Sequence, residues 1–264
     1  MNKKMKKFKD WCSIASFRGC QFFVSDNNKI ERAIKEKGEE YDRDNFELIV
    51  RMVKSGNVCF DIGANIGVYS VIFASLSGQD ELVHAFEPVT HIRTKMYANL
   101  KLNGFVNANV NPFALGSSCA NMTMYQIREG QFRGGVSSFV INENYDELGA
   151  DAYEERDVEI LTLDGYVEDR KIDRIDFIKI DVEGFELDVL KGAKEVLKKF
   201  SPYLLFEYDP ERVMNRNSEI RDLLIEARYR TCEFKFVEGQ IVFRDFDFSR
   251  KPIQRNLFCL PCQS

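Results

Sequence analysis

Nowhere along its 264 residues does the sequence run about 18 apolar residues without a break, so no membrane-spanning helix is expected. An excess of positive charge is missing too: 37 Lys and Arg stand against 42 Asp and Glu, a formal net charge of −5 at pH 7. With no overall positive field to draw in nucleic acid or an anionic membrane surface, a small ligand is the better expectation. Paired cysteines are also lacking. The seven cysteines are odd in number and sit in apolar and polar contexts alike, which points to reduced thiols and a cytoplasmic chain, not a disulfide framework. Residues 1–7 have the charge of a signal-peptide start, but Lys9, Asp10 and Arg18 interrupt the apolar run that would have to follow, so no export signal is expected. The five lysines before Asp10 read as a solvated tail. Neither an internal repeat nor a low-complexity linker is present.

With 44% hydrophobic residues, the chain has material for one α/β domain with an appendage. From Asn57 onward, short β-branched or aromatic runs alternate with longer segments of helical period, the pattern of a parallel sheet covered by helices. Strands are expected over 57–62, 81–87, 108–112, 175–181, 203–207, 230–236 and 256–260, with helices over 66–76, 90–102, 186–200 and 218–227. Residues 1–41 read as a basic, helical N-terminal extension. Residues 29–53 are polar and periodic, fitting one or two helices at the sheet edge or over the site. Residues 116–163 form an insertion, a substrate-side loop or hairpin that includes Gly134-Gly135-Val136-Ser137-Ser138. The stretch 234–248 alternates around Glu238-Gly239 and suggests an antiparallel hairpin at the sheet edge.

The sharpest local signal is Val58-Cys59-Phe60-Asp61-Ile62-Gly63-Ala64-Asn65-Ile66-Gly67, a buried strand running into a glycine-bearing turn and then a helix. Gly63 permits a backbone shape or close approach that a side chain would block, and Gly67 lets the helix start near the strand. Glu87, 24 residues after Gly63 at the end of the next strand, is placed to accept hydrogen bonds from two ribose hydroxyls. The third glycine of a pyrophosphate-binding turn is absent, and Asp61 beside the turn would repel phosphate. An acid there suits a ligand with an amino group and a sulfonium, and S-adenosylmethionine fits that description. The plainer alternative is a tight turn with Asp61 capping the helix; Glu87-Pro88 in register weighs against it.

Asp61-Ile62-Gly63-Ala64-Asn65-Ile66-Gly67, Ala85-Phe86-Glu87-Pro88, Ala114-Leu115-Gly116, Ile178-Lys179-Ile180-Asp181-Val182-Glu183-Gly184 and Leu190-Lys191-Gly192-Ala193 together resemble the FkbM family of S-adenosylmethionine-dependent methyltransferases, over about residues 42–261. The resemblance implies a methyltransferase domain over 42–264 with the class I, Rossmann-like fold. That fold is a seven-stranded, mostly parallel sheet with helices on both faces and an antiparallel edge strand. It also implies O-methylation of a sugar, glycan or natural-product hydroxyl. By position, Asp61, Gly63, Ala64, Asn65 and Gly67 would line the methionine end of the cofactor. Glu87, with Pro88 beside it, would bind the ribose, and residues 111–115, Phe113 and Ala114 among them, would border the adenine.

Asp181 and Glu183 follow the strand over 175–181, and Glu207 ends the next, all at the sheet edge where open α/β folds bind ligands. Transfer of a methyl group to a hydroxyl needs alignment and a base for the hydroxyl proton. Asp181 is the first choice for that base, with Glu183 as orienter or alternate and Glu207 at the same edge. Two or three such acids would also suit a divalent cation. Against these roles stand helix-start acids at Glu183 and Glu186, an Asp181 cap, and a solvated Glu207. His84 reads as a packing residue, and His91 approaches the site without a supporting acid. Cys259-Leu260-Pro261-Cys262 has only half a zinc site and reads as chance plus burial of Cys259. The rival readings are a nicotinamide-dependent dehydrogenase, for which the third glycine is missing, and a non-catalytic adenosyl-ligand-binding protein.

Overall fold

The computed structural model describes residues 13–26, 28–127, 139, 153–212 and 216–262. The basic stretch 1–12 and the Gly134–Ser138 segment lie outside these residues.

Five strands, β3 (Cys59–Ile62), β4 (Val83–Phe86), β5 (Asn109–Asn111), β9 (Phe177–Ile180) and β10 (Tyr203–Glu207), pair in parallel in the order β5-β4-β3-β9-β10. Each is short, and all but the edge strand β5 are almost entirely buried, as strands covered on both faces must be. β13 (Asn256–Pro261) enters antiparallel between β10 and β11 (Tyr229–Val237), and β12 (Gln240–Asp245) closes the edge as the second arm of a hairpin through Glu238-Gly239. All seven expected strands are present. The hairpin adds an eighth, so two strands run against the parallel core, one inside the sheet and one at its edge.

Two apolar layers sandwich this sheet. One joins Phe60, Ile62, Ile178, Ile180 and Phe206 to helices α5 (Leu163–Asp169), α6 (Glu186–Lys191), α7 (Lys194–Phe200) and α8 (Asn217–Glu226). The other joins Cys59, Ala85, Phe177 and Leu205 to α1 (Lys29–Lys37), α2 (Arg43–Met52), α3 (Val68–Ser77) and α4 (Thr90–Leu102). Alternate residues of one strand therefore serve opposite layers. The single helix expected over 186–200 is broken at Gly192, whose bare Cα is needed: a Cβ there would lie 1.9 Å from the Gly116 carbonyl oxygen.

Two features flank the sheet. β1 (Ser13–Phe17) and β2 (Cys20–Val24) form a hairpin whose Arg18 and Gly19 both take positive φ, as a two-residue hairpin turn demands. Phe17, Phe22 and Val24 are buried in the α1–α4 layer, and Asn99 on α4 and Asn103 just past its end hydrogen-bond the β2 backbone. The 116–163 insertion contributes β7 (Ala120–Ile127) and β8 (Tyr153–Leu161), an antiparallel pair that β6 (Ala114–Leu115) extends into a three-stranded side sheet. Among the described residues, no helix is long and apolar enough to cross a membrane.

Candidate active site

The parallel strands fan in opposite directions from β3 and β9, and the crevice between their C-terminal ends is where an open α/β sheet holds a ligand. A cavity of about 740 Å³ opens there, within the range of small-molecule sites. Its floor is stitched by backbone bonds. Gly63 and Ala64 N–H groups donate to the Phe86 carbonyl (3.1 and 2.9 Å), Asp181 N–H to that of Ile62 (3.0 Å) and Glu87 N–H to that of Asn111 (3.1 Å).

Gly63 has φ +78, and a Cβ built on it would lie 1.9 Å from the Asp181 carbonyl oxygen, so only glycine lets the loops after β3 and β9 meet. Gly67 packs on Met96 and does not face the cavity. Ala64 and Asn65 line it; Asn65 has φ +51, and its side chain accepts from Ile66 N–H at 2.8 Å. Glu87 also lines the cavity, and backbone amides hold both of its carboxylate oxygens: Asn65 N–H donates to Oε2 at 3.0 Å and Val89 N–H to Oε1 at 2.8 Å. Burial pushes its pKa up to about 7 against those two bonds. Pro88 and Ala114 are on the wall, whereas Phe113 stands behind it against Phe86 and Tyr166.

Asp61 sits behind the wall, fully buried. Its Oδ2 accepts from Ser70 Oγ at 2.5 Å and its Oδ1 has no hydrogen-bond partner, an orphaned acceptor of the kind a cationic ligand or a water satisfies. It meets the first turn of α3 through Ser70, and it also faces a buried lysine that the quoted motif contains but to which no role was given. Lys179, on β9, is 2% exposed, donates to Asp181 Oδ2 at 3.1 Å and lies 4.4 Å from the Tyr69 ring centre. Burial pulls its pKa down, but Asp181, Asp61 and Asp42 outweigh burial and the net direction is upward, so it stays an ammonium. The signal in the sequence was a lysine inside Phe177-Ile178-Lys179-Ile180, since a charge in a strand buried on both faces must be paired.

Asp181, Glu183 and Glu207 are brought together, each offering an oxygen within 4.8 Å of the others, a spacing that suits a divalent cation. Asp181 does not cap α6, whose first turn has no side-chain cap; its side chain turns to Lys179 and the cavity. Glu183, with φ +55, pairs with Arg212, which also lies 3.4 Å from Glu207; Arg255 reaches Glu207 at the same distance. Arg212 and Arg255 thus supply positive charge to this corner. Burial, then Asp181 and Glu183, push Glu207 up to about 9, against the pull of Arg212. Burial, then Asp181, also raises Glu183. Glu186 stays structural: its carboxylate accepts from Val182 and Gly184 N–H.

His84 stacks on Phe60 and hydrogen-bonds the Tyr166 hydroxyl at 2.9 Å, and burial drops its pKa to about 4, so it packs as a neutral ring. His91 is on the cavity wall. Cys259 is fully buried and Cys262 exposed, both free thiols. Of the two places expected for residues 29–53, part lies over the site: Lys29, Tyr41 and Asp42 line the cavity.

Residues 61–231 match the family described as Methyltransferase FkbM domain. Among similar proteins, the 31-O-demethyl-FK506 methyltransferase FkbM of Streptomyces tacrolimicus is 28% identical over 163 residues, 54% of this chain and 62% of that relative. The hexuronic acid methyltransferase AglP of Haloferax volcanii is 25% identical over 237 residues, 83% of this chain and 89% of that relative. A match to the antimetabolite synthetase AmbE of Pseudomonas aeruginosa, 28% identical over 202 residues, spans 9% of that protein, so the chain spans less than two thirds of several relatives. Among solved structures, a methyltransferase FkbM from Methylobacillus flagellatus aligns over 78% of this chain and 43% of that one, at 15% identity and a TM-score of 0.47.

Proposed function

Since the chain belongs to the FkbM methyltransferase family, we propose that it is an S-adenosylmethionine-dependent O-methyltransferase acting on a hydroxyl of a sugar, glycan or natural product. The family decides against the dehydrogenase reading. The observation that carries the proposal is Glu87: a carboxylate with both oxygens set by backbone amides, on the wall of a 740 Å³ cavity and beside a glycine loop that tolerates no Cβ. Such an acceptor pair suits two vicinal ribose hydroxyls.

The residues fit the donor. Ala64 and Asn65 would border its amino-acid end, with the Asp61 carboxylate behind them; Glu87 would take the ribose, and Pro88, Ala114 and Leu115 the base. When bound, S-adenosylmethionine supplies a methyl carbon on a sulfonium, open to in-line displacement. Asp181 is the base in this reading: Lys179 fixes one of its oxygens, and the carboxylate faces the cavity to take the acceptor's hydroxyl proton as charge develops. Glu183, held by Arg212, orients, and Glu207 stands at the same edge between Arg212 and Arg255. Because two guanidiniums already meet this corner, the reading needs no metal ion. The methyltransferase domain is taken as 42–264, with residues of the 28–41 segment lining one side of the cavity. The FK506 and hexuronic acid relatives suggest hydroxylated macrolide or sugar-acid acceptors. The test is mass spectrometry of hydroxylated acceptors incubated with the chain and S-adenosylmethionine. A gain of one methyl group on oxygen is expected, and methylation confined to nitrogen or carbon contradicts the reading.

A further inference from the structure

The cavity continues past its acid corner. Beside it lies a second cleft of about 550 Å³, and Asp42 and Arg255 line both, so the two spaces meet at that pair. The rest of the cleft is polar and carries both signs of charge, Glu40 and Asp44 beside Arg43 and Lys235, with Gln254 near the ring of Phe236. On the opposite flank the main cavity is apolar, lined by Ile92, Met124, Phe139 and Phe185, the last two with ring centres 5.0 Å apart. A hydroxyl buried against that flank goes unpartnered at a cost, whereas the cleft offers donors and acceptors together.

Asp42 is an independent sign. It is the residue before the first turn of α2, where an aspartate normally caps, yet it makes no capping hydrogen bond and sits at φ +46. Its carboxylate is turned instead to Asn45 Nδ2, at 2.7 Å, and to the Tyr69 hydroxyl. Tyr69 carries Lys179 on its ring, and Lys179 holds Asp181. The carboxylate at the junction is therefore tied through two side chains to the proposed base.

We propose that this cleft is the acceptor subsite. The hydroxyl-rich, sugar-type body of the acceptor lies along Arg43, Lys235 and Gln254, and Asp42 grips it at the junction so that one hydroxyl reaches Asp181. The proposal rests on the hydroxyl-methylating reading above and adds where the acceptor sits and what chemistry it carries.

Saturation-transfer NMR with trigalacturonic acid and maltotriose as probes, alongside calorimetry of S-adenosylmethionine, tests it. The wild-type chain takes up at least one glycan. Gln254→Trp, which fills the cleft, weakens that glycan by about tenfold or more, a loss of about 1.4 kcal/mol, and leaves S-adenosylmethionine affinity within about twofold. Lys235→Ala, at an exposed position, lowers glycan affinity about threefold and serves as the reading should Gln254→Trp melt early. Glycan binding that neither variant changes, or a chain that binds S-adenosylmethionine but no glycan, overturns the subsite while the donor reading stands. A chain that binds no S-adenosylmethionine overturns the donor reading and the subsite with it.

Discussion

Glu87 and Asp181 follow the strands on either side of β3, yet their charges are met in opposite ways. Backbone amides of Asn65 and Val89 hold Glu87, whereas the flexible ends of side chains meet Asp181 and its neighbours: Lys179 on Asp181, Arg212 on Glu183 and Glu207, Arg255 on Glu207. Backbone donors cannot move without unfolding the loop, so the Glu87 side is a fixed mould. Long side chains can shift as a proton leaves an acceptor, so the Asp181 side can follow charge. In the proposed function, recognition and chemistry thus fall to different kinds of partner within one crevice.

The largest expected effect breaks the chemical side. Asp181→Asn removes the proposed base and keeps the shape, so kcat should fall by roughly 10²–10⁴ with donor affinity within about twofold, read by steady-state kinetics and calorimetry. Full turnover would leave the carboxylate no role. Next comes the mould. Gly63→Ala forces a Cβ onto the Asp181 carbonyl at positive φ, and chemical denaturation should show a loss of about 3 kcal/mol or more, with donor binding weakened in the fraction that folds.

A pH series sharpens the comparison away from the site. His84 is neutral in the fold, with its pKa dropped from 6.5 to about 4, so the unfolded chain binds its proton first as pH falls. Stability from this group is full above pH 6.5 and is lost between 6.5 and 4, by up to about 3 kcal/mol. Glu87 and Glu186, raised to about 7, act with the opposite sign: they cost stability as pH rises from 4.5 to 7. The difference between wild type and His84→Gln in urea titrations isolates the histidine, and parallel curves would refute its neutral state. The smallest effect is none. Because Arg212 and Arg255 already neutralise the acid corner, exhaustive chelation should leave turnover unchanged; its loss would assign Asp181, Glu183 and Glu207 to a cation.

The parallel core was legible because its strands are short apolar runs cut by helices, and the glycine loop because Gly63 and Glu87 lie at the right separation on successive strand ends. Other parts carried weaker signals. β1 and β2 alternate for only five residues each, and their turn, Arg18-Gly19, was read as an interruption of an apolar run. The short α5, capped by Thr162, falls between the insertion ending at 163 and the strand from 175, where no element was expected. The break at Gly192 depends on the Gly116 carbonyl, 76 residues away, which no local pattern encodes. Within the site, Lys179 was readable as a buried charge but was passed over. Asp42 was not readable, because its place beside the cavity depends on how α1 and α2 pack on the sheet.

Calorimetric titration of S-adenosylmethionine into wild type and Glu87→Ala tests the central claim most directly. The account predicts saturable one-to-one binding by wild type and its loss, by tenfold or more, in a variant that still melts cooperatively, about 1.4 kcal/mol at the least. Equal affinity in the two proteins would contradict it.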